Sequence, residues 1–436
     1  MNPRIPSREQ ARTRALDRLI KQRRDLHRHP EVGWTEFRTT ALVVAELVAA
    51  GFDVTFGREL YDGAPRIGLP PLESIEAAWE AARDDGVPNA VLDPMRGGFT
   101  GAVGRLDTGR PGPVLAMRFD LDGLPLQESR DEHHRPARLG FGSVHDGVMH
   151  ACGHDGHTAA GLAVARAAEV LASDLCGELR LFFQPAEEGV RGGQALASGS
   201  ALDGVTHLIA FHLGLTAPTT GQVVAGATDL LGTEKLRIRF TGERSHAALA
   251  PEGGRHALLA AATAALGVHA IGPHSAGPTR ANVGLLRSGT SANIIPEKAE
   301  MRLELRASHD AALAWLRDRT RAVLEGAATA YGCEVEQEVV GRATIGNSDA
   351  TLAAVVADAA RRVPGLREIV DARTFGASDD AADLMTATQE RGGLATMTLV
   401  GADLAGAHHT DTFDFDEAGL VHLVDLATEC VIEVLG

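Results

Sequence analysis

The chain lacks the features that mark secreted and membrane proteins. It has only 4 cysteines in 436 residues, and their wide spacing does not fit a disulfide framework. From Met1 to Leu26 the sequence lacks the unbroken apolar core of a signal peptide. No apolar run approaches the length needed to cross a bilayer. These absences predict a cytoplasmic protein.

Positive charge is also scarce. The 42 lysines and arginines are outnumbered by 58 acidic residues, which gives a formal net charge of -16. This balance argues against nucleic acid or an anionic membrane as a partner, and it suits a site that concentrates cations. The apolar content of 44% is that of a soluble globular protein, and the length predicts two domains.

Strand and helix patterns alternate through the first half of the chain. Helices are predicted over residues 8–28, 36–50 and 158–173, and strands over 114–119, 178–183 and 205–211. An excursion rich in proline over residues 60–96 interrupts this order. Each strand runs into a polar cluster, which predicts an α/β sheet with its site at the carboxyl ends of the strands.

After about residue 228 the pattern changes to alternating strands and two helices in the order βαββαβ. That order is typical of a small α+β domain with helices on one face of its sheet. From about residue 346 the first pattern returns. We therefore predict a discontinuous catalytic domain, 1–227 and 346–436, with a second domain inserted at 228–345.

The segment from His150 to Thr158 holds one thiol, three imidazoles and a carboxylate within nine residues. Cysteine and histidine at such spacing are the ligand types that bind divalent transition metals. Cys152 and His154, on a tight glycine-containing loop, could reach one ion. The alternative is a free cysteine beside surface histidines.

Further metal-ligand types follow other predicted strands. Glu187 and Glu188 come directly after one strand, where one carboxylate could bind metal while its neighbour acts as a general base. His212 and His409 occupy two more strand ends. Each has an ordinary alternative, a solvated surface pair or a core histidine. Together with Cys152 and His154 they are too many for one tetrahedral ion, but they suit two ions that share a ligand.

The order of these motifs resembles the metal-dependent aminoacylase/carboxypeptidase superfamily over essentially the whole chain. Within it, the match is to the amidohydrolase branch that includes hippurate hydrolases and plant auxin-conjugate hydrolases. The motifs that carry the resemblance are Arg24-x-x-His27-x-x-Pro30-Glu31, Arg118-x-Asp120-x-Asp122-Gly-Leu-Pro125, His150-Ala-Cys-Gly-His-Asp-Gly-His157, Gln184-Pro-Ala-Glu-Glu-Gly189 and His409-x-x-x-Phe413.

The resemblance implies a zinc-peptidase-like catalytic domain, with a mixed sheet between helices, that binds two divalent ions, manganese or zinc. It makes Glu187 the general base and Asp120 a carboxylate that supports the site. Arg118 stands where the carboxypeptidase branch has a metal-binding histidine, so a direct ligand role for Asp120 is not implied. The implied metal ligands are Cys152, His154, Glu188, His212 and His409.

In the inserted domain the resemblance implies a ferredoxin-like dimerisation and lid domain. His246 matches a histidine that relatives extend across a dimer interface to the scissile carbonyl, and Asn293 matches a contact to the substrate's carboxylate end. Arg306 is a further substrate-binding candidate whose alternative is a salt bridge. Arg244 and Ser245 replace the family's usual pair of glycines, which could change how His246 is presented.

The implied activity is metal-dependent hydrolysis of the amide bond of an N-aroyl or N-acyl amino acid. The first candidate substrate is p-aminobenzoyl-glutamate, and hippurate or an N-acetyl amino acid is the alternative. The implied assembly is a homodimer or a heteromer with a paralogous chain. One further alternative is a non-catalytic partner in such a heteromer, but its expected sign, loss of the base or of a ligand, is missing from the sequence.

Overall fold

The computed structural model describes residues 5–436, which form two compact units. Unit 1 comprises the residues up to Thr228 together with Gly346–Gly376 and Asp380–Gly436, and unit 2 comprises Asp229–Ile345 and Ala377–Asp379. The elements of unit 1 are α1 (Ile5–Leu16), α2 (Leu19–Arg28), α3 (Phe37–Ala49), β1 (Asp53–Phe56), α4 (Arg58–Tyr61), α5 (Leu72–Asp84), α6 (Asn89–Met95), β2 (Ala102–Asp107), β3 (Val114–Asp120), α7 (Arg135–Leu139), α8 (His154–Leu171), β4 (Glu178–Gln184), α9 (Gly193–Ala197), β5 (His207–Leu213), β6 (Gln222–Thr228), α12 (Ala350–Ala360), β13 (Glu368–Thr374), α13 (Ala381–Glu390), β14 (Leu394–Val400) and α14 (Glu417–Leu435). Those of unit 2 are β7 (Gly232–Thr241), β8 (Ser245–His246), α10 (Ala257–His269), β9 (Thr279–Ser288), β10 (Ile294–Ile295), β11 (Lys298–Ala307), α11 (Asp310–Ala330) and β12 (Glu334–Ala343).

Unit 1 is built on an eight-stranded sheet in the order β1-β2-β4-β3-β5-β14-β6-β13. The central strands β4, β3, β5 and β14 are parallel to one another, whereas β1, β2 and β6 pair antiparallel with their neighbours. The predicted α/β fold with a mixed sheet is therefore confirmed. Every residue of β4 is buried, as expected for a strand covered on both faces. Because the central strands are parallel, their carboxyl ends meet at one edge.

Helix α8 crosses the centre of this sheet and begins earlier than its pattern predicted. The prediction of a start at Thr158 is wrong, because Gly153 adopts a left-handed conformation with φ of 93° and His154 is already helical. The amide of His157 donates to the carbonyl of Gly153 at 3.0 Å and closes the first turn. The cysteine- and histidine-rich segment is thus divided between a tight loop and the first turn of a buried helix.

The N-terminal helix predicted over residues 8–28 is wrong in detail, because the chain forms two helices, α1 and α2, separated by Asp17 and Arg18. Ala11 and Ala15 of α1 are buried in the same core as Leu19 of α2. The break lets both segments contribute apolar side chains to that core, and their burial compensates for the helical hydrogen bonds lost between them.

The excursion at residues 60–96 contains α5 and α6 and part of α4. It has an apolar cluster of its own, in which α5 and α6 pack against Phe37 of α3. The buried members of this cluster are Phe37, Ile75, Trp79, Ala82, Leu92 and Met95. The excursion is therefore a packed substructure fixed to unit 1 through α3.

Unit 2 contains a four-stranded antiparallel sheet in the order β12-β7-β11-β9. In β7, buried Leu236, Ile238 and Phe240 alternate with the more exposed Arg237 and Arg239. Helices α10 and α11 cover the apolar face and share one core with the sheet. Within residues 5–436, no helix combines the length and apolar character needed to span a membrane.

Candidate metal centre

Five predicted metal ligands meet at the carboxyl edge of the unit 1 sheet. Cys152 lies in the loop before α8 and His154 in its first turn, while Glu188 follows β4. His212 lies near the end of β5, and His409 follows β14. The parallel pairing of these strands explains why residues so far apart in sequence converge.

The five side chains form two overlapping sets that share one thiol. Cys152, His154 and His212 offer ligand atoms that all lie within 4.8 Å of one another, and so do Cys152, Glu188 and His409. We call these the His212 set and the His409 set. A shared ligand between two sets of donors is the arrangement expected for two neighbouring ions.

Hydrogen bonds orient the two buried imidazoles toward this centre. Nδ1 of His154 donates to the backbone carbonyl of Asp122 at 2.9 Å, and Nδ1 of His212 donates to that of Leu213 at 2.8 Å. In each ring the Nε2 lone pair is therefore left for a ligand bond. Nε2 of His212 lies 3.5 Å from Sγ of Cys152.

The electrostatics of the donor atoms fit a bound cation. Nε2 of His154 and Oε1 of Glu188 are buried without a hydrogen-bond partner among the described residues, a costly state for polar atoms. Burial would lower the pKa of His154, yet the Asp120 carboxylate raises it well above its usual value. Burial and then Glu188 raise the pKa of the Cys152 thiol well above its usual range. Positive charge at the centre would satisfy all three groups.

A third group, Asp120, His154 and His157, has the same spacing but no capacity for an ion. Nε2 of His157 accepts the Leu213 amide at 2.9 Å, so Nδ1 carries the proton and donates to Oδ1 of Asp120 at 2.6 Å. Both ring nitrogens of His157 are thus used inside the protein. The geometry makes His157 a support for Asp120 and for the end of β5.

Arg118 occupies the other oxygen of Asp120. Its Nη1 lies 2.5 Å from Oδ2 of Asp120, and its Nε donates to Gln184 at 2.9 Å. Arg118 also contacts Asp380, whose Oδ2 accepts the amides of Gly192 and Gly193. Protein donors therefore bind both oxygens of Asp120, and its carboxylate supports the centre from behind.

Asp122 is a functional residue that sequence reasoning did not single out. Its Oδ1 accepts the Glu187 amide at 2.9 Å, its Oδ2 accepts the Glu188 amide at 3.0 Å, and its carbonyl accepts Nδ1 of His154. One residue thus positions two acidic side chains and one imidazole. Its place at the end of β3, two residues after Asp120, was the available signal.

Replacing Asp122 by Asn is expected to lower kcat or metal affinity by about 10- to 100-fold, because the new amide group would face one of the two backbone N–H donors. Steady-state kinetics and metal titration measure the effect. Asp107→Asn is the control, because Asp107 accepts one backbone amide, that of Gly109, at 2.8 Å in an exposed turn. Equal behaviour of the two variants would contradict a positioning role for Asp122.

The neighbouring histidines and Asp155 are arranged differently. Oδ2 of Asp155 accepts from Arg23 at 2.8 Å and from His27 at 2.9 Å, which ties the first turn of α8 to α2. His150 is buried and takes part in neither donor set. Nε2 of His408 lies 3.3 Å from the Leu213 carbonyl, whereas Nε2 of His409 lies 3.4 Å from Oε1 of Glu188.

Unit 2 brings His246 and Asn293 together. Strand β8 pairs with β10 so that His246 lies opposite Ile294, next to Asn293, whose carbonyl accepts the Ala247 amide at 3.0 Å. Nδ1 of the exposed His246 accepts the amides of Ala248 and Leu249, each at 3.2 Å. In the neutral ring the proton is therefore on Nε2, which points a donor away from the loop.

Arg306 is not brought to this pair. It lies near the far end of β11, where Nε donates to Glu304 at 2.9 Å and Nη2 donates to the same carboxylate at 3.1 Å. Strand β10 immediately precedes the opposite end of β11, so about 27 Å of extended strand separates Arg306 from Lys298. The salt bridge considered for Arg306 in the sequence is present.

Comparisons with known proteins follow the same lines as the geometry. The sequence profile described as peptidase family M20/M25/M40 matches residues 116–433. An indole-3-acetyl-aspartic acid hydrolase of Enterobacter agglomerans is 43% identical over 403 residues, 92% of each chain. One of the named subunits of the p-aminobenzoyl-glutamate hydrolase of Escherichia coli is 41% identical over 409 residues, 94% of each chain.

Two solved structures are similar over nearly the whole chain. An aminobenzoyl-glutamate utilization protein from Klebsiella pneumoniae has a TM-score of 0.85 at 36% identity and covers 98% of both chains. A Bacillus subtilis protein described as a dinuclear metal-binding peptidase has a TM-score of 0.66 at 25% identity, over 98% of this chain and 99% of that one. This likeness and the two overlapping donor sets support two divalent ions.

Proposed function

The chain belongs to peptidase family M20/M25/M40 and is an amidohydrolase of that family, and we propose that its metal centre cleaves an aromatic acyl group from an acidic amino acid. The observation that carries this proposal is the pair of donor sets sharing Cys152, with Glu187 beside them. In it, Cys152, His154, Glu188, His212 and His409 hold two divalent ions, manganese or zinc. The shared thiolate favours zinc.

The proposed general base is Glu187. This carboxylate is 8% exposed, its amide is held by Asp122, and its Oε2 lies 3.9 Å from Nε2 of His154. The ions supply Lewis acidity, which polarises a carbonyl and lowers the pKa of water. Glu187 takes the proton of the attacking water and returns it to the nitrogen of the leaving amino acid. The adjacent Glu188 is committed to the donor set, so the two neighbouring carboxylates have different roles.

Unit 2 supplies the proposed substrate contacts and the proposed dimer interface. Nε2–H of His246 is available to donate to the oxyanion that develops on the scissile carbonyl. Asn293 would bind the carboxylate end of the substrate, and the same unit would act as a lid and dimerisation domain. The partner is an identical chain or a paralogue; the Escherichia coli relative is named as one subunit of a hydrolase, which supports a paralogue.

The substrate class follows from what two relatives have in common. Both are named for amides that join an aromatic acyl group to a dicarboxylic amino acid, glutamate in one and aspartate in the other. We propose p-aminobenzoyl-glutamate as the substrate. The second candidate is indole-3-acetyl-aspartate, favoured by the 43% identity to its hydrolase.

A substrate panel tests this assignment. The ratio kcat/KM is expected to be highest for p-aminobenzoyl-glutamate and to fall by more than about 10-fold for hippurate and N-acetyl-glutamate, because each lacks one of the two recognised parts. Rates are measured with protein loaded separately with zinc and with manganese. Equal or better turnover of hippurate would contradict the proposed substrate, and a lead for indole-3-acetyl-aspartate would replace the first candidate by the second.

A further inference from the structure

The loop that carries Glu187 and Glu188 has an unfavourable backbone. Ala186 has φ of 55° and Val190 has φ of 56°, although neither is glycine, and Gly189 between them has φ of 98°. Left-handed conformations cost a residue with a side chain about 1–3 kcal/mol and persist only where the surroundings impose them. The proposed base therefore depends on contacts from outside its own loop.

Those contacts come from two buried carboxylates. Asp122 accepts the amides of Glu187 and Glu188, and Glu36 accepts the preceding amide, that of Ala186, through Oε1 at 2.8 Å. Three consecutive amides are thus fixed by two acidic side chains. Asp122 belongs to the strand β3 that leads into the site, whereas Glu36 lies just before α3, in a part of unit 1 that contributes no metal donor.

Glu36 itself is held on its other side. Its Oε2 accepts from Oγ1 of Thr100 at 2.6 Å, and both residues are fully buried. The carbonyl of Thr100 in turn accepts from the hydroxyl of Tyr61 at 2.5 Å. The contact to Ala186 is therefore braced by the two ends of the excursion, and neither oxygen of Glu36 is left for an ion or a substrate.

We propose that Glu36 is a positioning residue, which fixes the left-handed turn at Ala186 and so holds the Glu187 carboxylate in its working position. This inference rests on the proposed role of Glu187 as the base. Burial, and then the Asp122 carboxylate, raise the pKa of Glu36 to about 8, so near neutral pH the side chain is largely a neutral acid. Hydrogen bonding, rather than charge, is then what Glu36 supplies to the loop.

The test compares Glu36→Ala with Glu36→Gln. The alanine variant frees the Ala186 amide and is expected to lower kcat by about 10²-fold, the effect of displacing a catalytic group by about 1 Å, with KM and two bound ions per chain unchanged. The glutamine variant keeps an acceptor for that amide, and Thr100 can accept from its N–H. Its kcat is expected to stay within about threefold of the original.

Asp349→Ala is the matched control, because Asp349 also accepts one backbone amide, that of Ala395, and one side-chain donor, Gln389. It lies beside the start of β14, at the opposite end of the strand from the donor sets, and its loss should change the melting temperature but not kcat. Thr100→Val, which loosens Glu36 without altering it, should lower kcat by about 10-fold and serves if Glu36→Ala does not fold.

A double-mutant comparison separates this inference from the function on which it rests. In a Glu187→Gln background, adding Glu36→Ala should change the residual rate by less than about threefold, because the group being positioned is gone. An unchanged kcat in Glu36→Ala, a large loss in Glu36→Gln, or equal losses with and without Glu187 would each overturn the inference. Full activity of Glu187→Gln alone would instead overturn the proposed function, and the inference with it.

Discussion

Replacing Glu187 by Gln is expected to lower kcat by between about 10²- and 10⁴-fold, while the protein still binds two ions per chain. The amide has nearly the same shape as the carboxylate and keeps the backbone bond to Asp122, but it cannot take a proton. Glu187 belongs to neither of the two sets that share Cys152, so its loss leaves the proposed ligands in place. Rates and metal content measured on the same preparation test both parts of this expectation.

The adjacent residue provides the control. Glu188→Gln removes a donor from the His409 set and should lower the metal content toward one ion per chain, which Glu187→Gln should not do. Two neighbouring substitutions of the same kind are thus expected to differ in metal content. Full activity in Glu187→Gln, or a loss of metal equal to that in Glu188→Gln, would show that Glu187 is not the base.

Replacing Cys152 by Ala is expected to abolish binding of both ions, and activity with it, because its thiolate is the donor common to both sets. Single substitutions outside the overlap should behave differently. His212→Ala removes a donor from one set and His409→Ala from the other, so each should leave one ion bound. Metal analysis of protein purified without added metal, followed by titration with zinc and manganese, measures the difference.

Cys176→Ala is the control for the loss of a thiol, since Cys176 precedes β4 and belongs to neither donor set. It should keep both ions and full activity. Retention of one ion by Cys152→Ala, with the same affinity as in the original protein, would contradict a shared thiolate. Each ion would then have its own donors, and the close approach of Cys152 to both sets would have no function.

The sequence predicted the convergence of the donors because it needed only the order of the strands. Parallel strands place their carboxyl ends together, so residues after β4, β5 and β14 had to lie along one edge once the α/β pattern was recognised. The roles of individual ring nitrogens required coordinates. Sequence spacing does not reveal that Leu213 donates to His157 but accepts from His212, and this difference makes one ring a support and the other a proposed ligand.

Local backbone conformation was the least predictable part of the site. Ala186 and His409 both have left-handed φ angles, 55° and 64°, which their residue types disfavour. Long-range contacts impose them: Glu36 binds the amide of Ala186, and the carbonyl of Ala151 accepts the amide of His409 at 2.8 Å. Propensity describes a residue in its local sequence, so it cannot include partners that lie far away in the chain.

The division of donors around Cys152 also sets an order of synthesis. All members of the His212 set precede unit 2 in the chain, whereas His409 follows it. A nascent chain therefore contains every donor for one ion before unit 2 is translated, and gains the last donor for the other only near the end of translation. A product that stopped before His409 would keep the thiolate and one complete set, and would be a half-loaded protein rather than an unloaded one.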